Sequence, residues 1–299
     1  MLPLGDRPLL LDGGLSTELE YRGYDISGQL WSAQLLLDAP SAVVAAHRAF
    51  LDAGADIITT ASYQASLEGF ARAGYSSATA QQLIRRSVEL ARQAIDESGR
   101  QAFIAGSVGP YGAMLADGSE YTGQYGDISL SSLRDFHRPR LELLAEAGID
   151  VLAVETVPSL LEVEALLLEL DRLGHPAWLS LTTQTSPVGV LTRRDEPAAK
   201  AFAMAGSAAS LIAVGINCTD PVGAGAAVAL AADTSGKPGV VYPNSGEGWD
   251  TVRRVWTPAS SSQGLLGDVD GWVASGARII GGCCRVGPAQ TRALAENLA

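Results

Sequence analysis

The chain has 299 residues, of which 47% are hydrophobic and 18% are charged, so it is long enough to bury a large core. Its formal net charge of -12 argues against nucleic acid or an anionic membrane surface as a partner, because phosphate groups would repel it. No stretch is apolar over the ~18 residues that a membrane span needs, and the first residues lack the pattern of a signal peptide.

Short apolar runs alternate along the chain with longer segments of helical periodicity. Proline near the start and glycine just past the end mark the limits of several of these helices. The predicted strands are 9–11, 56–59, 102–105, 150–154, 177–181, 211–214, 239–242 and 277–280. The predicted helices are 39–53, 77–98, 129–147, 159–173, 195–205, 221–233, 268–275 and 288–297.

Eight strands, each followed by a helix, predict an α/β protein with a single (β/α)8 (TIM) barrel domain over residues 1–299. The strand runs are nearly continuous in apolar residues, as in parallel strands that are buried on both faces. A doubly wound open sheet is the alternative. We favour the barrel because the count reaches eight and no Gly-x-Gly-x-x-Gly turn follows the first strand.

Two connections are unusually long and rich in glycine and serine, and such segments often cover an active site. They span residues 112–127, after the third predicted strand, and 246–267, after the seventh. Both carry aromatic side chains, which are suited to lie against a cationic substrate. These aromatic residues are Tyr121, Tyr125, Trp249 and Trp256.

Residues that directly follow the strands of a barrel meet at one face, where active sites lie. In this chain three cysteines and two acids occupy such positions. The full set is Asp12, Gly13, Gly14, Thr60, Ser62, Ser107, Glu155, Thr156, Cys218, Tyr242, Asn244, Cys283 and Cys284.

The three cysteines of the chain predict a metal site. Three thiolates with an open fourth position are typical of a Zn²⁺ ion that takes part in chemistry, and the three histidines lie in or beside predicted helices. Adjacent cysteines on a regular strand would point to opposite faces, so we expect the flexible pair Gly281-Gly282 to turn the backbone. The alternatives are three buried structural cysteines, or a disulfide between Cys283 and Cys284.

An odd and small number of cysteines does not indicate a disulfide framework, so we expect a cytoplasmic protein with reduced thiols. The best substrate for the open position of a thiolate-rich zinc is another thiol. A free thiol has a pKa of ~8.5, and binding to the metal removes its proton near neutral pH.

The two acids indicate a second chemical group of this substrate, in addition to its thiol. Asp12 and Glu155, facing the same mouth, are suited to bind an ammonium group or to act as acid and base. Alternatively, Asp12 is a turn residue before Gly13-Gly14 and Glu155 forms a surface ion pair. The amides around Gly13 and the hydroxyls of Thr60 and Ser62 are candidates to bind a carboxylate. Together these groups predict a pocket for an amino acid whose side chain is a thiol.

From end to end, the chain resembles the zinc-dependent homocysteine S-methyltransferases. It is most similar to the short members that use S-methylmethionine, and sometimes S-adenosylmethionine, as methyl donor. The two cysteine motifs, in this order and spacing, are highly specific. The resemblance rests on residues 11–20 (LDGGLSTELE), 59–64 (TTASYQ), 106–110 (GSVGP), 155–156 (ET), 215–218 (GINC), 242–247 (YPNSGE) and 281–285 (GGCCR).

This resemblance implies a role for each matching residue. Cys218, Cys283 and Cys284 would bind zinc, and Asp12 and Glu155 would hold the ammonium group of homocysteine. The substrate carboxylate would lie near Gly13, Thr60 and Ser62. The two asparagines Asn217 and Asn244 would line or brace the site.

The activity implied is transfer of a methyl group from a sulfonium donor to L-homocysteine, giving methionine. We expect no appended cobalamin-binding or pterin-binding module, and the choice of donor stays open because related enzymes use betaine. Two alternatives remain: a methyltransferase for a selenol such as selenocysteine, and a non-catalytic zinc- or thiol-binding protein. The expected partners are small molecules only, and the sequence predicts no oligomeric state.

Overall fold

The computed structural model describes residues 2–26, 28, 30–250, 255–257, 265 and 267–298. Its strands include all eight that the sequence predicts, together with four short ones in the connections. In chain order they are β1 (Leu9–Leu10), β2 (Ile57–Thr59), β3 (Phe103–Val108), β4 (Val151–Val157), β5 (Ala177–Leu181), β6 (Thr183–Ser186), β7 (Gly189–Thr192), β8 (Leu211–Asn217), β9 (Gly239–Tyr242), β10 (Gly248–Asp250), β11 (Val255–Thr257) and β12 (Ala277–Ile280).

Eight parallel strands form the central sheet, in the order β1-β12-β9-β8-β5-β4-β3-β2. A parallel bridge between Leu11 and Ile57 joins its two edges. There the Leu11 N–H donates to the Ile280 carbonyl at 2.8 Å, and the Asp12 N–H donates to the Ile57 carbonyl at 3.0 Å. The sheet therefore closes into the predicted (β/α)8 barrel, and the open doubly wound alternative is wrong.

Helices surround the barrel and match the predicted ones closely. Ser76 and Ser159 cap two of them at the N-terminus, and Gly99 and Gly174 end the same two in the left-handed conformation that suits glycine. Four short helices, α1, α2, α4 and α6, lie in connections and were not predicted. The helices are α1 (Leu15–Tyr21), α2 (Leu35–Asp38), α3 (Pro40–Ala53), α4 (Leu67–Arg72), α5 (Ser77–Ser98), α6 (Tyr111–Leu115), α7 (Leu130–Glu146), α8 (Leu160–Leu173), α9 (Ala198–Gly206), α10 (Ala224–Ser235), α11 (Val269–Ala274) and α12 (Pro288–Asn297).

The core has two layers, because alternate residues of each strand point to opposite faces. Leu9, Val151 and Ile279 belong to the cluster that fills the barrel. Their neighbours Leu10 and Leu152 pack instead against the helices outside it. This explains the continuous apolar runs in the sequence, since every strand residue is buried on one side or the other.

Two antiparallel hairpins rise from the connections on the carboxyl side of the barrel. One pairs β6 with β7, after β5. The other pairs β10 with β11 inside the long connection that the sequence predicts over 246–267. The side chains of Trp249 and Trp256 lie outside the described part of the structure. None of the helices within the described ranges is both long enough and apolar enough to cross a membrane.

Candidate functional site

The three cysteines meet at the carboxyl end of the barrel. Cys218 directly follows β8, and Cys283 and Cys284 lie in the turn after β12. Their three Sγ atoms all lie within 4.8 Å of one another. In this structure a disulfide joins Cys218 to Cys283, and Cys284 is a free thiol. A disulfide between the adjacent Cys283 and Cys284 is not formed.

The turn that brings the cysteines together is not made as the sequence suggests. Neither Gly281 nor Gly282 has a positive φ; within the two cysteine motifs, 215–218 and 281–285, the left-handed residues are Cys218 (φ 46°) and Arg285 (φ 64°). A Cβ at Gly281 would lie 2.7 Å from the Leu11 Cβ, and one at Gly282 would overlap the Val286 side chain. The expectation of flexible glycines is wrong: close packing requires them, because no side chain fits there.

The spacing of the Cys218 and Cys284 sulfur atoms suits a tetrahedral thiolate-bound metal. Zn–S bonds of ~2.3 Å in a tetrahedral shell place two sulfurs about 3.8 Å apart. The Sγ atoms of Cys218 and Cys284 are 3.8 Å apart. Because the ligand form of cysteine is the thiolate, such an ion requires that the Cys218–Cys283 disulfide be reduced. No histidine joins this cluster within the described residues.

Polar side chains support the thiol cluster. Asn244 accepts a hydrogen bond from the Cys284 N–H at 3.1 Å, and the Asn217 amide lies 4.0 Å from the Cys283 Sγ. The Tyr121 hydroxyl is 3.9 Å from the Cys284 Sγ. Burial raises the pKa of the Cys284 thiol, and the hydrogen bond with Tyr121 acts in the opposite direction.

Asp12 lies at the closing edge of the barrel and is almost fully buried. Its carboxylate accepts hydrogen bonds from the Thr59 N–H at 2.8 Å and from the Thr59 hydroxyl at 3.1 Å. Burial raises the pKa of this carboxyl group, the bonds from Thr59 lower it, and the charge of Glu155 raises it further. The two carboxylates are thus close enough to influence one another.

Glu155 lies in β4 and is also buried. The Ser107 hydroxyl donates to its Oε1. Burial raises its pKa to about 7, although the hydrogen bonds from Ser107 and Tyr242 act in the opposite direction. The surface ion pair considered for Glu155 is therefore wrong, because this side chain faces the cavity that Asp12 and the three cysteines also line.

The residues predicted to bind the substrate carboxylate differ in whether they reach the cavity. Gly13 and Thr60 line the cavity with the cysteines, whereas Ser62 does not. The Ser62 hydroxyl donates to the Ser107 carbonyl at 2.7 Å, so its oxygen accepts from the Thr60 hydroxyl at 2.6 Å. Thr60 in turn accepts from the Ser107 N–H at 3.0 Å. These hydroxyls thus tie the ends of β2 and β3 together.

The two asparagines differ in position. Asn217 lines the cavity and joins neighbouring strand ends: its Oδ1 accepts from the Thr156 N–H at 2.7 Å and from the Ser180 hydroxyl at 2.9 Å. Asn244 does not line the cavity. It holds the backbone of Cys284 instead.

The two aromatic residues predicted in the first long connection also differ in whether they reach the cavity. Tyr121 lines the cavity, but Tyr125 donates to the Glu162 Oε2 at 2.9 Å, away from the cysteines. Sequence reasoning missed Tyr63, which lines the cavity and lies just beyond Thr60 and Ser62. The segment TTASYQ contains it, but a tyrosine carries neither a charge nor a preferred zinc ligand that would mark it in the sequence. Burial raises the pKa of its hydroxyl.

A barrel whose strand ends gather three cysteines and two buried acids around one cavity defines an enzyme-like cysteine centre. The family model described as homocysteine S-methyltransferase matches residues 9–298, and the chain belongs to this family. The resemblance seen in the sequence motifs is thereby confirmed.

Curated relatives and solved structures agree with this assignment. The chain is 41% identical to homocysteine S-methyltransferase 3 of Arabidopsis thaliana, over 97% of this chain and 89% of that protein. It is 40% identical to the selenocysteine methyltransferase of Astragalus bisulcatus, over 98% and 93%. The metallated form of the Escherichia coli homocysteine methyltransferase MmuM superposes with a TM-score of 0.85 at 40% identity, over 97% of this chain and 96% of that one. The oxidized form of MmuM also gives a TM-score of 0.85.

Proposed function

We propose that this chain is a zinc-dependent methyltransferase that moves a methyl group from a sulfonium donor to the thiol of L-homocysteine, giving methionine. The donor is S-methylmethionine, with S-adenosylmethionine as a second candidate. The observation that carries this proposal is that three cysteine Sγ atoms, all within 4.8 Å of one another, share one cavity with two buried carboxylates. The metal would bind the thiol of the substrate, and the two acids would bind its ammonium group.

The roles divide among the residues on the cavity. Cys218, Cys283 and Cys284 hold the Zn²⁺ ion. When bound, zinc supplies an acceptor for the substrate sulfur that favours the thiolate over the thiol. Asp12 and Glu155 bind the ammonium group of homocysteine.

The carboxylate of homocysteine and the support of the site involve other residues. Gly13 and Thr60 lie on the cavity wall and bind the substrate carboxylate, while Ser62 holds Thr60 in place. Asn217 and Asn244 brace the turns that carry the cysteines. All these groups belong to one domain, residues 1–299, and the reduced thiols that they need fit a cytoplasmic location.

The methyl transfer itself needs no proton. The thiolate sulfur of homocysteine forms a bond to the methyl carbon as the bond from that carbon to the sulfonium breaks. The electron pair of the broken bond stays on the departing sulfur, so both products are neutral thioethers. The protein contributes by holding the thiolate and the methyl donor in line, because correct positioning of the reacting atoms lowers the activation barrier of the transfer.

The test is an assay of the reduced, zinc-loaded protein with homocysteine and, in turn, S-methylmethionine, S-adenosylmethionine and betaine. We expect methionine from a sulfonium donor, one zinc per chain, and the loss of zinc and activity together in Cys218→Ser. Zinc binding without methyl transfer from any sulfonium donor would instead favour a non-catalytic zinc protein. Full zinc content in Cys218→Ser would remove this cysteine from the ligand set.

A selenol acceptor is a second candidate, because selenocysteine methyltransferases of two plants are 40% identical to this chain. Competition between homocysteine and selenocysteine for one donor separates the two candidates. A preference of the enzyme for selenocysteine, measured as kcat/KM, would reassign the acceptor and leave the metal and donor sites unchanged.

A further inference from the structure

The strand β4 loses its regular alternation at Glu155. Before that point Ala153 belongs to the cluster inside the barrel, and Val154 packs against the helices outside it. Glu155 then lines the cavity, as alternation requires, but Thr156 lines the cavity as well. Val157 packs outside, on the side where a regular strand would place Thr156. Two consecutive side chains of one strand therefore reach the cavity.

An extra residue in β4 causes this change. Val154 pairs with Leu179 of β5, and Val157 pairs with Leu181, so β4 advances by one residue more than β5 between the two pairs. All four of these residues pack in the outer layer of the core, which agrees with this register. Such a β-bulge re-aims side chains, and bulges are frequent beside active sites.

The bulge holds Thr156 in a conformation that its side chain disfavours. Its φ is 61°, in the left-handed region that a β-branched residue rarely enters, and the residue is fully buried. Glycine would adopt this φ at little cost, yet the chain has a threonine here. A strained residue persists only where its surroundings hold it, and such residues cluster at ligand sites.

Asn217, the last residue of β8, holds Thr156 in this conformation. Its Oδ1 accepts a hydrogen bond from the Thr156 N–H at 2.7 Å, and its Nδ2 donates to the Thr156 hydroxyl at 2.7 Å. The Ser180 hydroxyl of β5 donates to the same Oδ1 at 2.9 Å and so fixes the asparagine. One buried side chain thus binds both the backbone and the hydroxyl of Thr156.

We propose that Thr156 is a positioning residue for the ammonium site: its left-handed conformation, held by Asn217, aims the Glu155 side chain at homocysteine. This inference rests on the proposed function, in which Glu155 binds the ammonium group. The Ser107 hydroxyl holds the carboxylate of Glu155 itself, whereas Asn217 and Thr156 fix the backbone that carries it. Without that hold, Thr156 returns to an extended conformation and the direction of Glu155 changes with the peptide that they share.

Two substitutions of Thr156 separate its conformation from its chemistry. Thr156→Val and Thr156→Gly both remove the hydroxyl, but only valine keeps the β-branch that opposes a φ of 61°. We expect the KM for homocysteine to rise about tenfold in Thr156→Val and by less than about threefold in Thr156→Gly. The kcat and the KM for the sulfonium donor should stay within about twofold of the wild type, because a displaced Glu155 weakens homocysteine binding alone.

Thr185→Val is the matched control, because Thr185 is exposed in β6 and does not line the cavity. Its kinetic constants should equal those of the wild type. An equal rise of the homocysteine KM in Thr156→Val and Thr156→Gly would mean that the hydroxyl itself binds the substrate. A wild-type KM in both would mean that Thr156 does not position Glu155. Either result overturns the proposal.

Asn217→Ala tests the other partner of this contact. It removes both hydrogen bonds to Thr156, so the KM for homocysteine should rise about tenfold. Adding Thr156→Gly should lower that KM again by about threefold or more, because glycine adopts the conformation without being held. Zinc content is measured on the same samples, since glycine in place of Thr156 cannot restore the support that Asn217 gives to the cysteines. Absence of recovery in zinc-loaded protein would overturn the role of Asn217.

Failure of this positioning role and failure of the proposed function give different results. If the zinc-loaded wild type transfers no methyl group to homocysteine from any sulfonium donor, the proposed function falls and the positioning role with it. If the wild type is active and Thr156→Val keeps the wild-type KM for homocysteine, only the positioning role is wrong.

Discussion

At the scale of single residues, burial decides the chemistry of Glu155. An exposed glutamate is ionised at neutral pH, but burial beside the barrel mouth raises the pKa of Glu155 to about 7. The hydrogen bond from the Ser107 hydroxyl stabilises the ionised form of Glu155 and so limits the rise in its pKa. The group is therefore poised near half-ionisation in the free enzyme, and a bound ammonium group would draw it to the carboxylate form.

This leads to a prediction for homocysteine binding. In the wild type, the KM for homocysteine should rise as the pH falls below about 7, because the protonated Glu155 no longer attracts the ammonium group. Glu155→Gln should raise this KM about tenfold at pH 8 and should flatten the part of the pH profile that Glu155 causes. Steady-state kinetics of both proteins between pH 6 and 8.5 measure it, and an unchanged KM would remove Glu155 from the ammonium site.

The stability of the unliganded protein provides the control for the same substitution. A carboxyl group whose folded pKa is raised binds its proton more tightly in the folded state, so stability falls as the pH rises from about 4.5 to about 7. Glu155→Gln removes this penalty. Above pH 7 the variant should be more stable than the wild type by about 3 kcal/mol at most, since one pKa unit corresponds to about 1.4 kcal/mol. Lower stability would mean that lost binding reflects damage to the fold.

At the scale of elements, the turn after β12 holds two of the three thiols. Its glycines are packed against the turn after β1 on one side and against Val286 on the other. The Gly282 N–H donates to the Asp12 carbonyl at 3.1 Å, and the Cys283 N–H donates to the Pro243 carbonyl at 2.8 Å. The position of the cysteines therefore depends on three neighbouring strand ends rather than on the turn alone.

Gly282→Ala tests this dependence. The added methyl group overlaps the Val286 side chain, so the turn must shift and the sulfur atoms with it. We expect the zinc affinity of the reduced protein to fall at least tenfold while the far-ultraviolet circular dichroism stays that of a barrel. Gly5→Ala is the control, because a Cβ there meets no atom within 4 Å. Equal zinc affinity in the two variants would contradict the packing argument.

At the scale of the whole molecule, the thiol cluster links strands that are not neighbours. β9 lies between β8 and β12 in the sheet, so a metal held by Cys218, Cys283 and Cys284 joins the ends of two strands across a third. The disulfide between Cys218 and Cys283 joins the same two strand ends and leaves one free thiol. Metal and disulfide therefore compete for the same sulfur atoms.

The thermal response to zinc should differ between the two redox forms. A ligand at 100 times its Kd stabilises the folded state by about 2.7 kcal/mol, so zinc should raise the Tm of the reduced protein by several degrees. The unreduced protein should show one titratable thiol and little response to zinc. Thiol titration and calorimetry on the same samples measure both quantities, and an equal rise in Tm for the two forms would contradict three-cysteine binding.

The eight strands of the barrel and the residues that follow them were predictable from the sequence, whereas the four short strands of the two hairpins were not. The apolar runs are short and regularly spaced, and they end in residues that the barrel topology brings together, as Asp12, Glu155 and Cys218 show. Periodicity did not reveal why Gly281 and Gly282 are glycines, or that Ser62 points away from the cavity, since both depend on atoms from distant segments.

The sequence by itself thus determined the barrel, the family and the cysteine cluster, because strand periodicity and short motifs are local properties of the chain. The tertiary structure alone decided that Glu155 is buried with its pKa raised to about 7, and that Tyr125 faces away from the cysteines while Tyr121 reaches Cys284. The burial and the direction of a side chain depend on what the rest of the chain places nearby, and no local pattern in the sequence records that.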